Sequence, residues 1–206
     1  ESQSRFYENI LGRNKNFWIP IYEKLGTLLP KFKEISLDEF YHEINHVRNS
    51  LIRTDADELT YCFHIIIRYE LEKAIFRDGV SVSELPGMWN EKMQEYLQIT
   101  PSNDAEGILQ DMHWSDGSFG YFPSYLLGNI YDGMYLEEIT KELGDVDTIL
   151  REGRISEITR WLNEKIHQYG STRLPKEVIE KVCGREVSAQ PLIKYFKEKY
   201  TEIYNL

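Results

Sequence analysis

His42-Glu43-Ile44-Asn45-His46 is a literal HEXXH. On a helix this spacing sets two imidazoles one turn apart, where they can ligate zinc while the glutamate takes a proton from bound water. Glu70 is a candidate third ligand further along. The surrounding pattern argues against such a site. Take Ile44 as the centre of the apolar stripe and advance about 100° per residue; Leu37, Phe40, Tyr41 and Val47 then fall within about 60° of it. His42 and His46 fall about 160° away on either side. They are expected to face solvent, whereas a catalytic zinc needs ligands braced by outer hydrogen-bond partners in a walled cleft. The solvated face of an amphipathic helix is the favoured reading. An independent zincin using His42, Glu43 and His46 is its competitor.

The elements that would position any chemistry read as helical nearly throughout, with no alternating run long enough for a sheet. A first helix is expected over 1–11, ending near Gly12, and a second over 17–29, disturbed by Pro20 and closed by Pro30. Ser36 and Glu39 form a capping box for the third. The fourth is expected from about Asp55 to Phe76. Its middle, Cys62-Phe63-His64-Ile65-Ile66-Ile67, is apolar almost all round, which marks a buried helix, with His64 a satisfied core histidine. A short extended piece is expected over 80–86, then helices over 86–97 and from Asn103 or Asp104 to Gln110. A Gly-rich aromatic loop, Trp114–Pro123, precedes helices over 123–143, 145–151, 155–169, 175–183 and 188–204. With no linker in view, the expectation is one all-α domain over 1–206, a multi-helix array.

Composition narrows the function. The 206 residues include 41% hydrophobic and 13% aromatic side chains, enough for a sizeable core. A formal net charge of -10 argues against nucleic acid and against anionic membranes, which need clustered Lys and Arg. No apolar run reaches spanning length. The two cysteines, Cys62 and Cys183, form no CxxC pair, so a Cys-rich zinc site is absent and a reducing, cytoplasmic compartment is the plain reading. The opening residue is Glu1 rather than Met, which suggests a processed chain or a fragment.

Three further segments carry a more specific signal: Glu1-Ser2-Gln3-Ser4-Arg5, then Ile52-Arg53-Thr54-Asp55-Ala56-Asp57, then Gly107-Ile108-Leu109-Gln110-Asp111-Met112-His113-Trp114. In type and order these resemble the HES-Q, I-R-x-x-A-D and G-x-x-Q-D-x-H-W signatures of the carboxypeptidase Taq family of metallopeptidases. The third matches at every fixed position, and Phe119–Tyr125 also resembles the family. The last 50 or so residues add little that is distinctive. The resemblance implies a zincin-like helical carboxypeptidase with a substrate groove. It would be a homodimer that uses zinc or cobalt to remove C-terminal residues from peptides with broad specificity. The family's own HEXXH lies shortly before the HES signature. The chain would therefore be a C-terminal part that lacks two histidine ligands and the general base, supplied by an N-terminal half, and that is inactive alone. His42-Glu43-Ile44-Asn45-His46 would then be a coincidence.

The resemblance also implies roles. Glu1 would be the carboxylate metal ligand. Arg53 would hold the substrate's free C-terminal carboxylate, since a guanidinium fork matches it bidentately. From the residues alone, Arg53 pairs with Asp57 one turn on, which would also orient it. His113 would donate to the developing oxyanion with Tyr125 or Tyr121 beside it, and Gln110 and Asp111 would buttress them. Without the resemblance, His113 is a core histidine satisfied by Asp111 and the tyrosines belong to an aromatic cluster. Arg5 and Glu8 are expected to pair, and Gly117 and Gly120 to be turn residues. The remaining alternative is a non-catalytic helical interaction module.

Overall fold

The computed structural model describes all of residues 1–206 and contains helices and turns but no strand. The helices are α1 (Ser2–Arg5), α2 (Lys15–Trp18), α3 (Tyr22–Leu28), α4 (Leu37–Ile44), α5 (Tyr61–Phe76), α6 (Leu85–Leu97), α7 (Pro123–Leu143), α8 (Val146–Arg151), α9 (Ile155–Lys165), α10 (Pro175–Cys183) and α11 (Gln190–Tyr204). The chain resolves into two compact units, residues 1–44 with 128–206, and residues 45–127.

The first unit is built on a core of Phe6, Ile10, Leu11, Met134, Ile139, Ile149, Ile158, Leu162 and Ile179, all essentially out of water. α1 runs on as a π-helix, Phe6–Leu11, whose wider turns place Phe6, Ile10 and Leu11 together on the buried side. Ser36 and Glu39 form the expected capping box: Glu39 N–H donates to Ser36 Oγ at 3.2 Å and Ser36 N–H to the Glu39 carboxylate at 2.8 Å. α4 stops at Ile44, whose carbonyl accepts from the Arg13 guanidinium. Arg5 and Glu8 pair at 3.5 Å on an exposed face. Gly133, midway along α7, lies where α11 packs close. A Cβ there would meet Leu192 N at 2.6 Å and Leu192 Cα at 2.8 Å, both on the backbone of α11. Gly133→Ala should therefore force these helices apart and lower the unfolding free energy by about 1–3 kcal/mol. Urea unfolding followed by circular dichroism checks it.

The second unit packs α5 against α6. Ile67, Leu71, Trp89, Met93 and Leu97 form one buried cluster, and Tyr61, Ile65 and Phe122 another. α5 begins at Tyr61, not Asp55, because Asp57 diverts the backbone. Its carboxylate accepts from the amides of Leu59 and Thr60 at 2.9 Å each and from Thr60 Oγ1 at 2.7 Å, starting the helix after it. Residues 80–86 form no strand. Ser81 and Glu84 make a second capping box, which opens a 3₁₀ turn leading into α6. The expected helix at 103–110 is a run of turns instead. There the Asn103 carboxamide captures Glu106 N–H at 3.0 Å, and the Gln110 amide reaches back to the Glu106 and Gly107 carbonyls at 2.9 and 3.1 Å.

Candidate functional site

Within residues 45–127, side chains from three segments converge on one carboxylate. Arg53 lies on a 3₁₀ turn, Arg53–Asp55, and its side chain is 9% exposed. Arg68, on α5, is fully buried. Asp111 stands between them. Its Oδ1 accepts from Arg53 Nε at 2.9 Å and Nη2 at 2.7 Å, and its Oδ2 from Arg68 Nε at 2.7 Å. Gln110 Oε1 adds a bridge, accepting from Arg53 N–H and from Arg68 Nη2, both at 2.9 Å. Burial pushes the Asp111 carboxyl up, but the two guanidiniums outweigh it and hold the group below the usual carboxylate range. Burial pushes Arg68 down to about 10 while the Asp111 carboxylate pulls it back up, so it stays charged at neutral pH.

The trio of two guanidiniums and one carboxylate keeps a formal charge of +1 at a buried place. His64, fully buried one turn before Arg68, does not add to it. Burial first, then the Arg68 and Arg53 charges, push its imidazole down to about 3. Neither of its ring nitrogens has a hydrogen-bond partner, so it is a core histidine but not a satisfied one.

Arg53 keeps donors in reserve. Of the five N–H groups of a guanidinium, Asp111 takes two and Tyr61 Oη takes one, from Nη1 at 3.1 Å. One N–H remains on each Nη, the pair that a bidentate carboxylate would engage. Aromatic rings wall the group: its Cζ lies 5.1 Å from the Tyr125 ring, 5.8 Å from Phe122 and 5.9 Å from Tyr61. The expected pairing of Arg53 with Asp57 does not form. Asp57 is engaged with the amides that start α5 and with Arg48 N–H at 3.1 Å, and Arg53 turns to Asp111 instead.

His113 and the tyrosines adjoin this group. His113 Nε2 lies 2.9 Å from Tyr125 Oη, and its ring stacks on Phe122 at 4.4 Å. It is not satisfied by Asp111, which the arginines occupy. Tyr121 stands at the rim, 44% exposed, its ring 5.9 Å from that of His113. Gly117 and Gly120 adopt φ of +84° and +77°, the left-handed conformation expected of turn residues. Glu72 on α5 anchors this loop, accepting from Trp114 Nε1 at 2.9 Å and Gly120 N–H at 3.0 Å.

The structure thus unites Arg53, Gln110, Asp111, His113, Tyr121 and Tyr125. Sequence reasoning missed Arg68, Tyr61 and Glu72. The signal for Arg68 was its position directly after the apolar stretch of a buried helix, where a charge needs a partner.

Glu1 belongs to the first unit and is exposed ahead of α1. Gly128 on α7 packs against it, since a Cβ there would meet Ser2 N at 2.9 Å and Glu1 Cβ at 3.2 Å. The HEXXH pattern does not form a site. His42 and His46 are exposed, and His46 lies beyond the end of α4. Glu70 is spent on Lys92 and Tyr96, each at 2.9 Å. No three His, Cys, Asp or Glu side chains of the chain are grouped so as to hold a metal ion. Glu1 alone can supply one carboxylate to a metal ion and not a complete ligand set.

Comparison with known proteins agrees with the signatures. The family model described as Carboxypeptidase Taq (M32) metallopeptidase matches residues 1–200. Carboxypeptidase 1 of Bacillus subtilis is 51% identical over 207 residues, spanning 100% of this chain and 41% of that protein. Thermostable carboxypeptidase 1 of Pyrococcus furiosus is 41% identical, spanning 97% and 40%. The crystal structure of the M32 carboxypeptidase from Deinococcus radiodurans superposes with a TM-score of 0.95 at 33% identity, covering 100% of this chain and 42% of that one. The chain therefore spans about two fifths of the length of the relatives it matches.

Proposed function

Because the chain belongs to the carboxypeptidase Taq family of metallopeptidases, we propose that it works as one domain of a zinc-dependent carboxypeptidase that trims C-terminal residues from peptides with broad specificity. The observation that carries this reading is the excess positive charge at Arg53, Asp111 and Arg68, with two N–H donors of Arg53 still unspent. A peptide's terminal carboxylate supplies the one negative charge that balances it. An internal peptide bond or an amidated terminus does not, which makes the site selective for chain ends.

In this reading Asp111 and Gln110 hold the Arg53 fork in register, and Arg53 fixes the terminal carboxylate. The aromatic walls of Tyr61, Phe122 and Tyr125 exclude water and strengthen that contact. Tyr125, oriented by His113, donates to the oxygen that gains charge as the carbonyl is attacked. Tyr121, exposed at the rim, contacts the substrate. Asp57 acts at one remove, by starting α5 and so placing Tyr61 and Arg68. Glu1 would be one ligand of the zinc, for which cobalt could substitute, and the remaining ligands would come from outside these 206 residues. Bound zinc supplies Lewis-acid activation of the carbonyl and of water. The 206 residues alone are expected to be inactive, which the lack of a grouped ligand set supports.

Homodimer formation rests on the resemblance alone. A cytoplasmic setting rests on the sequence reading; Cys62 and Cys183 form no disulfide, and no helix is long and apolar enough to cross a membrane. The test is hydrolysis of an N-blocked dipeptide by the full-length enzyme. Activity should vanish with a chelator, return with zinc, and be absent for the C-terminally amidated dipeptide. Failure to hydrolyse the free acid under any metal would leave the helical interaction module as the better account.

A further inference from the structure

The loop from Trp114 to Gly120 has a site residue at each end: His113 directly precedes it and Tyr121 directly follows it. Both ends are held by one atom. Glu72 Oε1, on α5, accepts from Trp114 Nε1 at 2.9 Å and from Gly120 N–H at 3.0 Å. Glu72 is buried, and a buried carboxylate ordinarily has a cation beside it. Here the nearby cations are engaged elsewhere. Lys73 Nζ lies over the Tyr69 ring at 5.2 Å, and Arg77 pairs with Asp78 at 2.8 Å. The hydrogen bonds that offset the burial of Glu72 come from the loop. The loop is itself compact: Ser118 N–H donates to the His113 carbonyl at 2.8 Å, and the Phe119 ring stacks on Trp114 with centroids 6.4 Å apart.

We propose that Glu72 is a positioning residue: by clamping Trp114 and Gly120 it sets His113 and Tyr121 against Tyr125, and so sets where the Tyr125 hydroxyl meets the developing oxyanion. This rests on the reading of Tyr125 as the oxyanion donor. The His113 ring is the link. Its Nε2 lies 2.9 Å from Tyr125 Oη, and its face packs on Phe122 with centroids 4.4 Å apart. A shift of the backbone at Trp114 moves that ring. A misplacement of about 1 Å that starts away from the reacting atoms can cost about 100-fold in rate. Because both donors go to one oxygen, the two loop ends cannot separate without breaking a bond to it. Arg53 is held by Asp111 and Tyr61, neither of which bonds to Glu72. Anchoring of the terminal carboxylate should therefore not depend on the clamp.

The test uses the full-length zinc enzyme, the N-blocked dipeptide and a carboxylate inhibitor. In Glu72→Ala, hydrogen exchange at the Gly120 amide should rise by about tenfold, and kcat should fall by about 10- to 100-fold. KM and the inhibition constant should stay within about threefold of the wild type. In Glu72→Gln the side-chain carbonyl oxygen can accept both bonds, so kcat should return to within about threefold of the wild type. Trp114→Phe removes one donor and leaves the carboxylate in place; kcat should fall by about tenfold, which keeps the test open if Glu72→Ala does not fold. Unchanged Gly120 exchange in Glu72→Ala would overturn the clamp. So would a Glu72→Gln enzyme as impaired as Glu72→Ala, by making the charge rather than the two bonds matter. Inhibitor binding lost in step with kcat would overturn the positioning role in favour of general collapse of the site. Tyr125→Phe separates the two levels. If it keeps wild-type kcat, the oxyanion reading itself fails and the proposal with it. If it loses turnover while Glu72→Ala does not, the proposal alone fails.

Discussion

Asp111→Asn should lower the unfolding free energy by about 3–5 kcal/mol and abolish activity in the full-length enzyme. The substitution preserves shape but removes the only carboxylate that Arg53 and Arg68 share. It leaves two buried guanidiniums face to face with no counter-charge. The pH profile carries the same information. In the native protein the Asp111 carboxyl sits below its ordinary value of about 3.9. Its contribution is therefore complete above about pH 4 and is lost as pH falls through the lowered native value. Asp111→Asn should remove that acid limb. His64 adds a separate slope that survives the substitution. The unfolded chain protonates it below about pH 6.5, while the folded chain resists until about 3, so stability falls on acidification across that window. Urea unfolding from about pH 2 to 8 follows both slopes.

Arg53→Lys should raise KM for a free-acid peptide by about 10- to 150-fold, the effect of losing one charge-assisted hydrogen bond worth about 1.5–3 kcal/mol. The turnover of substrate that does bind should change by less than about fivefold, because the lost contact is made equally in the bound and reacting states. A lysine keeps the positive charge beside Asp111 but offers a point charge where a planar fork stood. A carboxylate inhibitor should weaken in parallel with KM, and an uncharged one should not. The competing account makes Arg53 a structural partner of Asp111 only, consistent with its burial. It expects a drop in melting temperature with KM unchanged. Steady-state kinetics and thermal unfolding of the one variant separate the two.

Much of the fold was legible because helix signals are local. Ser36 and Glu39, Pro175, and the positive-φ position at Gly79 all fall where the pattern of caps and breakers puts helix ends. The errors have a common cause, side chains that capture backbone amides. Asp57 delays α5, Asn103 and Gln110 turn an expected helix into turns, and Ser81 with Glu84 winds an expected extended piece. The candidate site was legible only through its signatures. Spacing alone made Arg53 pair with Asp57, four residues away, since helical reasoning sees neighbours at that distance. The true partner, Asp111, lies 58 residues on. The expectation that His42 and His46 face solvent rather than form a site was met, since both are exposed. HEXXH is a helical motif, and here the helix ends at Ile44 before the second histidine.

The most direct test of carboxylate recognition by Arg53 is a crystal structure of the full-length protein with a product amino acid bound. The ligand carboxylate should lie within hydrogen-bond distance of Arg53 Nη1 and Nη2, with the Asp111 bridge to Arg68 still intact. A carboxylate bound elsewhere, with Arg53 touching only Asp111 and Tyr61, would contradict the account.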